Sequence, residues 1–276
     1  MAFTKIPAAT NRTVDFTTSG TFTVPSGVYS AEFLVVGAGG GGGGGQSSDP
    51  THFSAGAGGG GGAVKSVQLL TTPGSSYTIT IGAKGTGSSN AAGTNGGFSE
   101  IVLSGTTLIR SHGGQGGGSS AAVATLSRTI GGGGGLGQSS STSTPAQGGG
   151  GGGAIIGALS NLATNNQMNS SEGTNGQLNS TTTAAQYITF GAPGINGYGS
   201  GGGGGGSGSL STTRNTSGSS YFAGAGAVQT TTGVSNGGAA TANTGGGGGG
   251  GAAHTSTTAY SGGNGADGLV RITYFA

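Results

Sequence analysis

Apolar and polar positions alternate in short stretches near both ends of the chain, with glycine filling most of the intervals between them. Thr21-Phe-Thr-Val24 leads into the turn signal Pro25-Ser-Gly27, and an apolar-rich stretch at 28–36 follows, so β-formers flank a turn. Phe33 and Val35 share one face of that strand and Leu34 and Val36 the other, which predicts cover on both faces. Residues 63–70, a turn at Thr72-Pro-Gly74 and the strictly alternating Tyr77-Thr-Ile-Thr-Ile81 predict a second pair of strands. Stretches 98–103 and 107–111, joined around Ser104-Gly105, predict a hairpin, and Leu269-Val-Arg-Ile-Thr-Tyr-Phe275 predicts a closing strand. Helix is expected to be nearly absent, because each glycine disfavours it by about 1 kcal/mol.

Between these strands lie runs of glycine at 37–45, broken once by Ala38, at 56–62, broken by Ala57, and at 113–118, 131–137, 148–153, 199–208 and 245–251. A weaker run spans 262–268. Flexible linkers would explain one or two such runs, but the pieces between them are mostly too short to be domains. Repeated runs separated by polar segments predict repeated passes through one core. The physical form of a pass is an extended helix with three residues per turn, a rise of ~3.1 Å per residue and no internal hydrogen bonds. Buried, its backbone groups must pair with neighbouring passes. In collagen only every third residue faces the crowded axis; a helix surrounded on all sides needs glycine everywhere, and unbroken runs satisfy that need. The expected fold is therefore mainly β and irregular, a bundle of polyglycine-II helices with flanking antiparallel strands. Gly41, Gly60, Gly116, Gly133, Gly150, Gly203 and Gly248 mark the core positions of the strong runs.

Composition tests this picture. Glycine supplies 72 of 276 residues, far above the usual share of about 7%. Such a level without a repeat often accompanies disorder, since flexible residues lose much entropy on ordering and bury little. Charged residues, however, make up only 5% of the chain and the net charge is +2, whereas disordered chains stay expanded through high charge. The eight Lys and Arg are scattered singly, which leaves no basic stripe for nucleic acid. No cysteine is present, so neither disulfides nor thiolate metal sites enter. Residues 1–18 lack the apolar centre of a signal peptide, and no apolar run approaches the ~20 residues of a membrane span.

Candidate chemistry is sparse. Matches to Gly-x-Gly-x-x-Gly are inevitable here, and none sits in a strand-to-helix unit with an acidic residue downstream. Asp15, Glu32, Asp49, Glu100, Glu172 and Asp267 form no paired motif for acid/base work. His52, His112 and His254 show no metal-ligand spacing. No catalytic residue, cofactor or metal is expected.

At Phe16-Thr-Thr-Ser-Gly-Thr-Phe-Thr-Val-Pro-Ser-Gly27 and Phe33-Leu-Val-Val-Gly-Ala-Gly39 the sequence resembles the glycine-rich domain of many bacteriophage tail-fibre and receptor-binding proteins. Gly262-Gly-Asn-Gly-Ala-Asp-Gly-Leu-Val-Arg-Ile-Thr-Tyr274 looks like that domain's closing strand, so the resemblance covers 15–275. The middle also resembles the distal adhesins of T-even-type phages, in which stacked polyglycine helices carry variable receptor-binding loops. Unlike those adhesins, this chain begins with strands. The resemblance implies a virion protein whose partners are other fibre or baseplate proteins and a host cell-surface protein or glycan, as a homotrimer or as a monomer mounted on a fibre. Residues 1–20 are expected to serve attachment or assembly, and 21–276 to form one glycine-rich domain.

If the first strand, ending at Val36, lies beside the last, beginning at Leu269, the number of passes between them must be even. Seven strong runs and the weak one make eight. With successive runs reversing, segments 46–54, 119–130, 154–198 and 252–261 project from the end opposite the paired strands. Their aromatic and histidine residues His52, Phe53, Tyr187, Phe190, Tyr198, His254 and Tyr260 are the candidates for receptor contact, since aromatic groups supply much interface energy. Capping the glycine core or binding neighbouring subunits is the other role open to each. A purely structural virion part, in a fibre or as a capsid decoration, is the alternative function. An ice-binding protein is a remote one, disfavoured by the absence of a regular short glycine period.

Overall fold

The computed structural model describes residues 10–45, 52–119, 138–141, 146–147, 177–178, 198–199, 206–207, 223–224, 236–253 and 260–276. Its strands are β1 (Asn11–Phe16), β2 (Gly20–Thr23), β3 (Ser30–Val36), β4 (His52–Ala55), β5 (Val64–Leu70), β6 (Ser76–Thr80) and β7 (Ser99–Leu103). They continue with β8 (Thr106–Ser111), β9 (Gln138–Ser141), β10 (Ala146–Gln147), β11 (Gln177–Leu178), β12 (Gly206–Ser207), β13 (Ala252–Ala253) and β14 (Leu269–Phe275). The described residues are mainly β and irregular and contain no helix.

Two four-stranded antiparallel sheets form one end of the molecule, ordered β1-β14-β3-β5 and β2-β6-β7-β8. Alternation along β3 buries Ala31, Phe33 and Val35 in a core shared with Phe22, Tyr77, Ile79, Ile101 and Ile109 of the second sheet, so the sheets pack face to face. The Phe33 and Tyr77 rings lie 5.5 Å apart across that core, and burial pushes the Tyr77 hydroxyl pKa up. Ser104 and Gly105 both take positive φ, 48° and 80°, the geometry that a two-residue hairpin between twisted strands requires. The expected closing strand does pair with the first strand, Leu269 opposite Val36 and Tyr274 opposite Ala31. On its other side β14 pairs with β1, which lies within the 1–20 segment.

Cover on the second face of β3 departs from expectation. Val36 is buried there with Val64 and Leu269, and Leu34 and Tyr198 pack against them, but Glu32 is exposed. That face carries polar pairs instead: Ser66 Oγ donates to Glu32 Oε1 at 2.7 Å, and Arg271 binds Asp15 through two hydrogen bonds of 2.7 and 2.8 Å. Only the end of the strand that meets the glycines is wrapped on both sides.

Beyond Val36 the chain becomes the axis of a bundle. Its amides are directed to three neighbours in strict rotation. Gly37, Gly40 and Gly43 donate to Ala63, Gly60 and Ala57; Ala38, Gly41 and Gly44 to Gly97, Thr94 and Ala91; Gly39, Gly42 and Gly45 to Ala266, Gly263 and Tyr260. Its carbonyls accept from three others: Ala38 and Gly41 from Gly114 and Gly117, Gly39 and Gly42 from Gly85 and Ser88, Gly40 and Gly43 from Gly248 and Gly251. A three-residue rotation of partners without internal bonds is the polyglycine-II form.

The surrounding segments close into a ring in the order 57–63, 112–118, 91–97, 82–88, 260–268 and 245–251, with backbone hydrogen bonds joining every adjacent pair. Direction alternates around it: 57–63, 91–97 and 260–268 run antiparallel to the axis, the other three parallel. A Cβ added at Gly41 would fall on the Thr86 carbonyl, and one at Gly42 on the Gly249 carbonyl. That close approach, on every side, is why 37–45 is glycine apart from Ala38.

Two of the ring segments, 82–88 and 91–97, lie outside the eight runs counted from sequence. Rim helices face the bundle on only part of their circumference, so glycine is needed at Gly82, Gly85, Gly93 and Gly96, where an added Cβ would meet backbone. The positions between them hold exposed residues such as Lys84 and Thr94. The extra passes come as a pair, one in each direction, so the even parity inferred from the first and last strands holds for them.

Candidate functional site

Where glycine ends, three-way pairing ends, because restored side chains leave room only for the two neighbours of a strand. At the end away from the large sheets this happens in several segments side by side. The antiparallel pair formed by 56–63 and 245–251 continues as β4 paired with β13, Ala55 opposite Ala252, and β9 adds to the other edge of β4. A second small sheet, ordered β11-β10-β12, also pairs antiparallel, and both β10 and β12 lie against β4. The turn at 89–91 and the Gly45–Tyr260 bridge occupy the same pole. Residues from widely separated stretches of sequence thus meet over the end of one glycine core.

The candidate contact residues divide by position. His52 and Phe53 are at this pole, opposite Ser141 and Ser140 in the β4–β9 register. Tyr260 is half-buried there, and its amide and carbonyl both pair with Gly45 at 3.1 and 3.0 Å. Tyr187, Phe190 and His254 lie outside the described residues, as do the core glycines Gly133, Gly150 and Gly203. Gly41, Gly60, Gly116 and Gly248 are all in the axis or the ring.

Tyr198 is at the opposite end from the one expected. It packs on Val36, Val64, Leu269 and Leu34, where the strands enter the bundle, and its neighbour Gly199 donates to Thr244. The ring finds apolar cover at that junction and its hydroxyl acts on Arg271. The segment that begins at Gly199 therefore starts beside the large sheets, while β12 at 206–207 lies at the loop-bearing pole, which reverses the direction inferred for the 199–208 run.

The ion pairs among the described residues lie away from this pole. Arg271 holds the Asp15 carboxyl below its ordinary pKa, through its hydrogen bonds first and its charge second, with burial opposing. The same bonds raise the guanidinium pKa. Glu100 accepts from Arg110 at 2.7 Å, and Arg110 also stands 4.4 Å over the Phe98 ring. Among the described residues no three metal-ligating side chains converge. The side chains that seat strands on glycine were not legible in the sequence: buried Ser99 accepts the Gly82 amide at 3.0 Å, and buried Ser111 donates to the Val35 carbonyl at 2.9 Å. A serine in an otherwise apolar inward row was the available signal.

A family model described as a glycine-rich domain matches residues 16–275. Comparison with curated proteins gives no significant match.

Proposed function

The chain belongs to the glycine-rich domain family, and from that premise we propose that it is a structural protein of a bacteriophage virion, a tail-fibre or fibre-tip adhesin that recognises a host surface receptor. The observation that carries this reading is the convergence of unrelated segments, among them β4, β9, β13 and the Tyr260 region, over one end of a close-packed glycine core. A platform whose backbone is fixed on all sides lets the sequence above it vary freely, and it lowers the ordering cost that flexible loops incur on binding. His52, Phe53 and Tyr260, with His254, Tyr187 and Phe190, are the contacts proposed for a host protein or glycan. Tyr198 is left out of this set because it is half-buried at the strand junction.

The other pole suits attachment to fibre or baseplate proteins. Tyr29, Leu70 and Phe275 lie at the strand ends farthest from the glycines and are 68%, 88% and 64% exposed, and exposed apolar residues in such numbers accompany interaction surfaces. Binding of the purified protein to susceptible cells, and its competition with virion attachment, tests the proposal. Replacing 254–259 by a Gly-Ser segment of equal length is expected to abolish binding while leaving the melting temperature within a few degrees, since β13 and the Tyr260 bridge to Gly45 are kept. Correctly folded protein that never binds susceptible cells, together with unaltered host range after loop exchange, would sink the adhesin role and leave a purely structural virion part.

A further inference from the structure

Amides on the rim of the bundle are satisfied in two ways. Where 236–240 lies outside the ring, backbone meets backbone: Gly237 donates to Ser261, Ala240 to Asn264, and Gly238 accepts from Gly249. Around 82–97, where Ala83, Thr86, Ala92, Thr94 and Asn95 are exposed, side-chain oxygens take the place of carbonyls. Lys84 donates its amide to Asp267 Oδ1 at 2.9 Å and Gly87 donates to Asn264 Oδ1 at 2.9 Å. Thr86 donates to Thr94 Oγ1 at 2.8 Å and Gly116 to Asn95 Oδ1 at 2.9 Å. The first two donors are three residues apart and so are their acceptors, which means that consecutive members of one outward row are both covered.

A polyglycine-II helix sends its amides outward in three directions. Each covered amide therefore points to where the next chain of the lattice would offer a carbonyl. We propose that Asn95, Asn264, Asp267 and Thr94 terminate the lattice by filling those acceptor positions. In doing so they prevent a glycine-rich segment of a second copy of this chain from annealing onto the rim. A second copy is the partner excluded because its own glycine segments have the matching three-residue rotation. The device is the bundle's counterpart of the edge protection found in β-sheets, and it stands independently of any receptor-binding role.

Sedimentation velocity of the full chain carrying Asn95→Ala and Asn264→Ala, over a wide concentration range, tests this. Species larger than the wild type are expected at a concentration about tenfold lower than the wild type needs, the size of effect that two or more regained backbone hydrogen bonds give. Asn95→Asp with Asn264→Asp keeps the acceptor oxygens and is expected to sediment like the wild type. An alanine variant with native circular dichroism and unchanged sedimentation overturns the proposal. Should the double variant fold poorly, amide exchange in Asn95→Ala alone decides: Gly116 must lose protection while Gly117, bonded to Gly41, retains it. Unchanged exchange at Gly116 shows that Asn95 does not hold that amide and overturns the proposal equally.

Discussion

At the scale of single residues, two kinds of glycine coexist and answer to different physics. Gly74 and Gly105 have φ of +83° and +80° with nothing within 4 Å of an added Cβ, so they are needed for backbone conformation alone. Gly41 has ordinary φ, but its added Cβ would coincide with the Thr86 carbonyl, so it is needed for space. Gly41→Ala is expected to cost 3 kcal/mol or more, at or beyond the upper end of about 1–3 kcal/mol typical of overpacking, because backbone on all sides has nowhere to move. Gly105→Ala is expected to cost about 1–2 kcal/mol. Chemical denaturation of both variants checks the order, and equal losses would contradict the distinction. The run containing Gly41 was legible in sequence, whereas Thr94 and Asn95 gave no sign of their role, since capping an amide depends on which segment lies alongside.

Among elements, the outer strand β1 is joined to β14 by a ladder and by the Asp15–Arg271 pair. The Asp15 pKa is lowered in the folded chain, so its contribution is present above the unfolded carboxylate value and is lost as pH falls through the folded one. Both side chains are about two-fifths exposed, at 40% and 38%, and solvent screening keeps the pair within about 1 kcal/mol. Asp15→Asn is therefore expected to lower the melting temperature slightly at pH 5–7, with the deficit shrinking as pH falls and the Asp15 carboxyl of the wild type is protonated. Thermal melts from neutral to acidic pH provide the check, and an equal deficit at both ends would show that the pair's charge is not what stabilises β1. The strands themselves were readable from alternation. The polar face of β3 was not, because Leu34 and Val36 looked equivalent in sequence while only Val36 reaches the glycine junction.

For the molecule as a whole, stability is distributed by depth in the bundle. Axis amides at Gly40–Gly43 donate to backbone on three different sides, so none is released without opening the ring. Rim amides at Thr86 and Gly87 are held by exposed side chains and open locally. Hydrogen exchange of 37–45 is expected to proceed only through global unfolding, with the Thr86 and Gly87 amides exchanging orders of magnitude faster. Exchange of the axis at the rim's rate would mean that the bundle opens from its centre.

The sequence by itself determined that the chain has terminal strands and that its glycine runs at 37–45, 56–62, 113–118 and 245–251 are passes through a core, because strand alternation and the absence of side chains are local properties; the pairing of the first and last strands was a premise that the structure supplied. Which run is the axis, that 82–88 and 91–97 complete the ring, and that Tyr198 sits among the strands were decided only in three dimensions. A rim helix is defined by what lies on one side of it, and glycine at every third position looks like an ordinary loop until the neighbours that require it are in place.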